Sequence, residues 1–269
     1  KEAQQKVSKD ALLLQNQVWF TSVDAAKDNQ KLYSNNIAIA EALLFSTMPW
    51  LDACVGNMFC LKDQPHKKRQ IVYVQTDATK EPVEVALPVG RYAFSGIELG
   101  AGLKIKGEAD SVGRFNVYQI DARSSAKIWD VFPERIAVID HINTQKQLMH
   151  VVIQREVDAV IPFDKLPKKY SVGDTIAVKI SRSQTKQGTK FRVVEVKDTA
   201  EEASNLIKKT FKESVRVSNG LGFTDSDIFI DRPLVNTHNI NDDNVVEGVA
   251  VINFNKKHNT WGWKALKIS

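Results

Sequence analysis

The chain has little of what marks most catalytic or exported proteins. Cysteine occurs twice in 269 residues, as Cys54 and Cys60. Both lie in apolar context, Ala53-Cys54-Val55 and Phe59-Cys60-Leu61, which reads as two buried thiols. Two cysteines without an exporting signal exclude a disulfide framework and are too few for a thiolate metal site. This usage makes the cytoplasm the expected compartment. The five histidines, His66, His141, His150, His238 and His258, show no metal-ligand spacing, so neither a metal nor a cofactor is expected. No run approaches the roughly 18 apolar residues of a membrane span, and no signal peptide is visible. A Gly-x-Ser-x-Gly elbow, a phosphate loop and a dinucleotide fingerprint are all missing, so no enzymatic activity is expected. The first residue is Lys1, not methionine, which reads as a fragment or a processed form.

What is present is ordinary apolar content and a modest net charge of +5. Residues 1–47 carry five positive and five negative side chains, residues 48–130 eleven and ten, and residues 199–269 nine and nine. Residues 131–198 carry twelve and eight. Any attraction for phosphates is therefore expected to centre there.

The chain is long enough for two or three small domains. Residues 1–47 read as helical, with Leu12, Leu13, Val18 and Trp19 among polar residues, and Pro49 as a stop. From there the period becomes strand-like, and an imperfect repeat occurs three times. The second copy is clearest. Strands are expected at 134–140, 148–153, 158–163, 175–181 and 189–196, the spacing of a small five-stranded barrel. The first copy spans 48–130, the second 131–198 and the third 213–269. Between the last two, Thr199-Ala200-Glu201-Glu202 reads as a capping box. Ala203, Leu206, Ile207, Thr210 and Phe211 follow at helical spacing, so a connector helix is expected over 199–212, packed on an adjoining barrel.

The most telling stretch is Ser218-Asn219-Gly220-Leu221-Gly222-Phe223-Thr224-Asp225-Ser226-Asp227-Ile228-Phe229-Ile230. It reads as Gly-x-Gly-Phe on one strand and Asp-Ile-Phe-Ile on the next. Glycine on a strand admits a close neighbour, and the aromatics can stand on the open face of a barrel. The pattern resembles the paired ribonucleoprotein motifs of the cold-shock domain, a five-stranded OB barrel. Gly220, Gly222, Phe223, Asp227 and Phe229 fit those motifs. Asn219 stands at the family's lysine, Leu221 at its first phenylalanine and Asp231 at its histidine. The resemblance implies binding of single-stranded RNA or DNA without catalysis.

Each candidate contact has a plainer alternative. Arg182, Lys186, Lys190 and Arg192 surround a polar hairpin in the second copy, suited to phosphates or simply solvated. Phe223 and Phe229 form a stacking platform or belong to the core. Trp261 and Trp263 share one face of a strand, with Lys264 beside them, and stack bases, anchor a protein, or cover the barrel end. Lys67-Lys68-Arg69 reads as an ordinary exposed turn.

The fold expected is thus mostly β: a helical N-terminal segment, then three tandem OB/cold-shock-like barrels with a connector helix near 200–212. The expected function is non-catalytic binding of single-stranded nucleic acid, RNA foremost, with no membrane partner. A protein-interaction or scaffold module, or a regulatory part of a larger nucleic-acid enzyme, are the competing readings.

Overall fold

The computed structural model describes residues 46–77, 81–89, 97–123, 127–185, 188–255 and 258–269. The segment expected to be helical falls almost wholly outside them, as does Lys186 at the tip of the basic hairpin. The described chain is mostly β and divides into two compact units, residues 1–131 and 132–269. None of its described helices is long and apolar enough to cross a membrane.

The first unit holds a five-stranded antiparallel sheet built from β1 (Leu51–Leu61), β2 (Gln64–Val74), β3 (Val83–Pro88), β4 (Gly102–Ala109) and β5 (Phe115–Ala122). Their order is β3-β2-β1-β4-β5. Strands alternate side chains between two faces. Ala53, Val55, Val72, Val74, Val85, Leu103 and Ile105 fill the inner face.

The second unit holds two such modules. The earlier one comprises β6 (Arg135–Asn143), β7 (Leu148–Gln154), β8 (Val157–Pro162), β9 (Thr175–Thr185) and β10 (Gly188–Asp198), in the order β10-β9-β6-β7-β8. The later one comprises β11 (Lys208–Ser218), β12 (Leu221–Thr224), β13 (Phe229–Ile230), helix α1 (Arg232–Thr237), β14 (Asn244–Asn255) and β15 (Thr260–Ile268). Its strands close into a barrel in the order β11-β12-β13-β15-β14. This is the five-stranded Greek-key order expected of an OB fold. Asp231 begins α1: its carboxylate accepts the Leu234 N–H at 3.2 Å, and a proline stands in the first turn.

No helix forms over residues 200–212, contrary to expectation. The Thr199 hydroxyl accepts the Glu201 N–H at 3.0 Å, a local turn rather than a helix cap. The Ser204 carbonyl then accepts the N–H groups of Ile207 and Lys208, which makes a second turn. From Lys208 the backbone finds partners in β14, from Lys208 opposite Val251 to Val215 opposite Asn244. The third barrel's first strand therefore starts at Lys208 rather than near Glu213. The apolar residues that mimicked helical spacing separate accordingly. Ala203 and Ile207 pack between the two modules, Phe211 enters the third barrel's core, and Leu206 is exposed.

The two modules of the second unit are joined by an apolar seam. Val138 of β6 and Val152 of β7 lie against Ile207 and against Val251 and Ile252 of β14. The Ile252 N–H donates to the Ile207 carbonyl at 2.9 Å. Beside the seam, His150 Nδ1–H donates to Asp140 at 2.6 Å and Nε2–H donates to Asp158 at 2.8 Å. Asn253 of the third barrel donates to the other Asp140 oxygen at 2.6 Å, so the cluster spans both modules. Burial disfavours the imidazolium, but the two carboxylates outweigh it and raise the His150 pKa to about 9.

A histidine whose pKa is higher folded than unfolded stabilises fully below the unfolded value near 6.5, and that contribution fades as pH rises through about 9. Urea unfolding at pH 6 and pH 9.5 should show a loss of about 2 kcal/mol, discounted for partial exposure. His150→Gln should flatten that dependence. In the first unit, Cys60 is exposed and Cys54 buried. Thiol labelling should find one fast group, and Trp129→Ala should accelerate the second by opening the wall that Cys54 shares with Tyr73.

Candidate nucleic-acid interface

In each module the first two strands form an antiparallel ladder whose residues alternate between core and outer wall. The outward pair nearest the start of that ladder is Cys54 with Tyr73 in the first, Val138 with Val152 in the second, and Arg216 with Phe223 in the third. Their surroundings differ sharply. Cys54 and Tyr73 are 0% and 2% exposed, and Tyr73 packs against Trp129 with ring centroids 6.3 Å apart. Trp129 is fixed by its backbone N–H, which donates to the Gly100 carbonyl at 2.9 Å. Val138 and Val152 are both 0% exposed, because β14 covers them. Arg216 is exposed and Phe223 only half-buried. Among the described residues, the third barrel presents this wall open where the other two have it covered.

The open wall carries the aromatic pair expected from the sequence. Phe223 of β12 lies directly opposite Phe229 of β13, with ring centroids 5.7 Å apart and planes tilted by 53°. Their neighbours Gly222, Thr224, Ile228 and Ile230 are buried towards the core. The phenylalanines therefore face outward rather than into the core. Gly222 makes room inside the barrel: a Cβ there would stand 3.0 Å from Val215 and 3.1 Å from Ile230. Gly220 is not on the strand. Asn219 and Gly220, at φ +54° and +73°, form the two-residue turn between β11 and β12.

These residues floor a groove of about 670 Å³, with Trp263, Lys264, Phe254 and His258 along its sides. Lys264 of β15 lies opposite Phe229 in a parallel ladder. Its ammonium stands 3.4 Å from Asp231, so its charge is partly spent within the protein. Trp263 is half-buried, with the Lys209 ammonium 4.5 Å over its ring. Trp261, on the same face of β15, packs on Phe254 with ring centroids 5.6 Å apart. Both tryptophans pack on the seam between the modules, and Trp263 also lines the groove.

The polar turn between the two aromatic strands is a structural clamp. Glu213 accepts both the Ser226 N–H at 3.0 Å and its hydroxyl at 2.7 Å. Burial would raise the Glu213 pKa, but hydrogen bonds from Thr224 and Ser226 prevail and lower it.

The basic hairpin of the second module does not gather its cations on one face. Arg182 lies opposite Phe191, whereas Lys190 lies opposite Ser183 and Arg192 opposite Ser181. Paired residues share a face, so Arg182 points to the side on which Phe191 meets the core, and Lys190 and Arg192 point to the other. Arg216, which sequence reasoning passed over, stands in direct register with a platform aromatic. Lys209 and Phe254 were also missed, because their approach depends on how the barrel closes.

Two family models agree with this architecture. Residues 129–193 match the model of S1/CSD-like domain 1 of the TOTE conflict systems, and residues 209–268 match that of S1/CSD-like domain 2. Among solved structures, the chain is similar to Drosophila Unr CSD456 at 10% identity, with a TM-score of 0.26, covering 82% of this chain and 96% of that one. It is also similar to a multidomain protein with nucleic acid binding domains from Streptococcus pneumoniae TIGR4, at 13% identity and a TM-score of 0.19, covering 80% of this chain and 73% of that one. No curated protein sequence matches. The chain carries tandem OB/cold-shock-like domains, the last two similar in order to the paired domains of the TOTE systems.

Proposed function

We propose that this chain binds single-stranded nucleic acid, RNA foremost, on the outer wall of its third barrel, and does so without catalysis. The observation that supports this reading is the outward Phe223–Phe229 pair, half-exposed on a wall whose counterparts in the other two modules are covered. Unpaired bases stack on such rings for about 1–3 kcal/mol each, with little regard to sequence. Asp227 and Asp231 near the groove repel phosphate, so bases would face inward and the backbone outward. Arg216 flanks the aromatic floor and would supply a cation to that outer backbone. The low cysteine content supports a reducing, cytoplasmic setting.

Phe223→Ala/Phe229→Ala should weaken binding of an unstructured single-stranded RNA by at least about tenfold, measured by fluorescence anisotropy. Unchanged affinity would remove the platform from the account. Arg216→Glu should cost more affinity than Arg182→Glu, since Arg216 adjoins the platform and Arg182 points elsewhere. Wild-type affinity should fall steadily as salt rises. An absence of RNA and DNA binding at low salt would favour the protein-interaction reading instead.

A further inference from the structure

The wall of the first unit is closed by Trp129, yet the same unit carries an exposed structure of different character. Strands β1 and β2 turn through Lys62 and Asp63, with Leu61 opposite Gln64. Lys67, Lys68 and Arg69 therefore lie on a strand, not in the turn that the sequence suggested. Directly opposite them stand apolar side chains: Phe59 faces Arg69, and Cys60 faces Lys68. Phe59 is 40% exposed and Met58 53%. Alternation puts Phe59, Lys67 and Arg69 on one face of this ribbon and Cys60 and Lys68 on the other.

Charge is concentrated on the same ribbon. Residues 56–70 hold Lys62, Lys67, Lys68 and Arg69 against one carboxylate, Asp63. Seven cations and nine carboxylates make up the rest of residues 48–130, so the arm is basic on a slightly acidic module. Among the described residues, Lys67, Lys68 and Arg69 are in no ion pair with a carboxylate. Unpaired cations lose little by leaving water for a phosphate, and they release the counterions condensed on a polyanion. An exposed aromatic beside such cations is out of keeping with a merely solvated hairpin. An apolar ring gains nothing from water, whereas a base offers it a face to stack on.

We propose that residues 56–70 form a second nucleic-acid contact, an arm whose cations grip the phosphate backbone while Phe59 stacks against a base. This proposal rests on the reading of the chain as a nucleic-acid binder, but on different residues. The test uses the whole chain and a labelled, unstructured single-stranded RNA of about 30 nucleotides. Lys67→Glu/Lys68→Glu/Arg69→Glu should weaken binding about tenfold at low salt. It should also flatten the log–log salt slope by about 2, since each phosphate that the arm no longer neutralises takes away roughly 0.7. Lys67→Arg/Lys68→Arg/Arg69→Lys keeps the charge and should bind like wild type. A dye on the exposed Cys60, with Cys54 buried, reads the arm directly and should change emission when RNA is added.

A silent dye, or a charge-reversed variant with wild-type affinity and slope, would overturn the arm and leave the third barrel's platform standing. If Phe223→Ala/Phe229→Ala binds like wild type while the charge reversal fails to bind, the platform falls and the arm stands. A wild-type chain that binds no RNA would overturn both.

Discussion

Which outer walls a tandem barrel protein leaves uncovered depends on what its own chain already buries. Here the decisive contact is the seam of Val138, Val152, Ile207, Val251 and Ile252 between the last two modules. Each such aliphatic side chain contributes roughly 1.5–3 kcal/mol when fully withdrawn from water. That is enough to hold β14 on the second module's wall. The Asp140–Asn253 hydrogen bond gives the apolar contact a direction, and His150, held between Asp140 and Asp158, supplies the charge that makes a buried carboxylate tolerable. Once the seam forms, the second module's β6–β7 wall is covered, while the corresponding wall of the third barrel stays open.

This arrangement divides labour among three five-stranded sheets of the same strand order. The first closes its wall with Trp129 and the second with its neighbour, so in both that surface serves stability. The third keeps Arg216, Phe223 and Phe229 outward. Fold alone does not choose among functions; the difference lies in one outward pair per module. The acidic residues around the platform have structural roles. Asp231 caps α1 and pairs with Lys264, and Glu213 ties down the turn at Ser226.

Much of the fold was legible in the sequence. Strand period and turn residues place the strands of all three modules, and the Gly-x-Gly-Phe and Asp-Ile-Phe-Ile pattern locates the outward aromatic pair. The connector was misread because Ile207, Phe211 and Val215, spaced by four, satisfy a helix and a strand alike. Long-range pairing of Lys208 to Val215 with β14 decided the matter, and no local signal carries that information. The covered walls did leave a trace. Ile136-Ala137-Val138-Ile139 and Val151-Val152-Ile153 are unbroken apolar runs, the mark of strands buried on both faces, whereas Val215-Arg216-Val217 alternates. The division of the hairpin's cations between two faces was hidden for a related reason: cations close in sequence alternate between faces once they lie on a strand.

The most direct test of this account is photo-crosslinking of the whole chain to single-stranded RNA bearing 4-thiouridine, with the adducts mapped to peptides. The account predicts adducts on the peptides containing Phe223, Phe229 and Trp263, and none at Tyr73 or at Val138 and Val152. Adducts on those covered walls, with none on the third barrel, would contradict it.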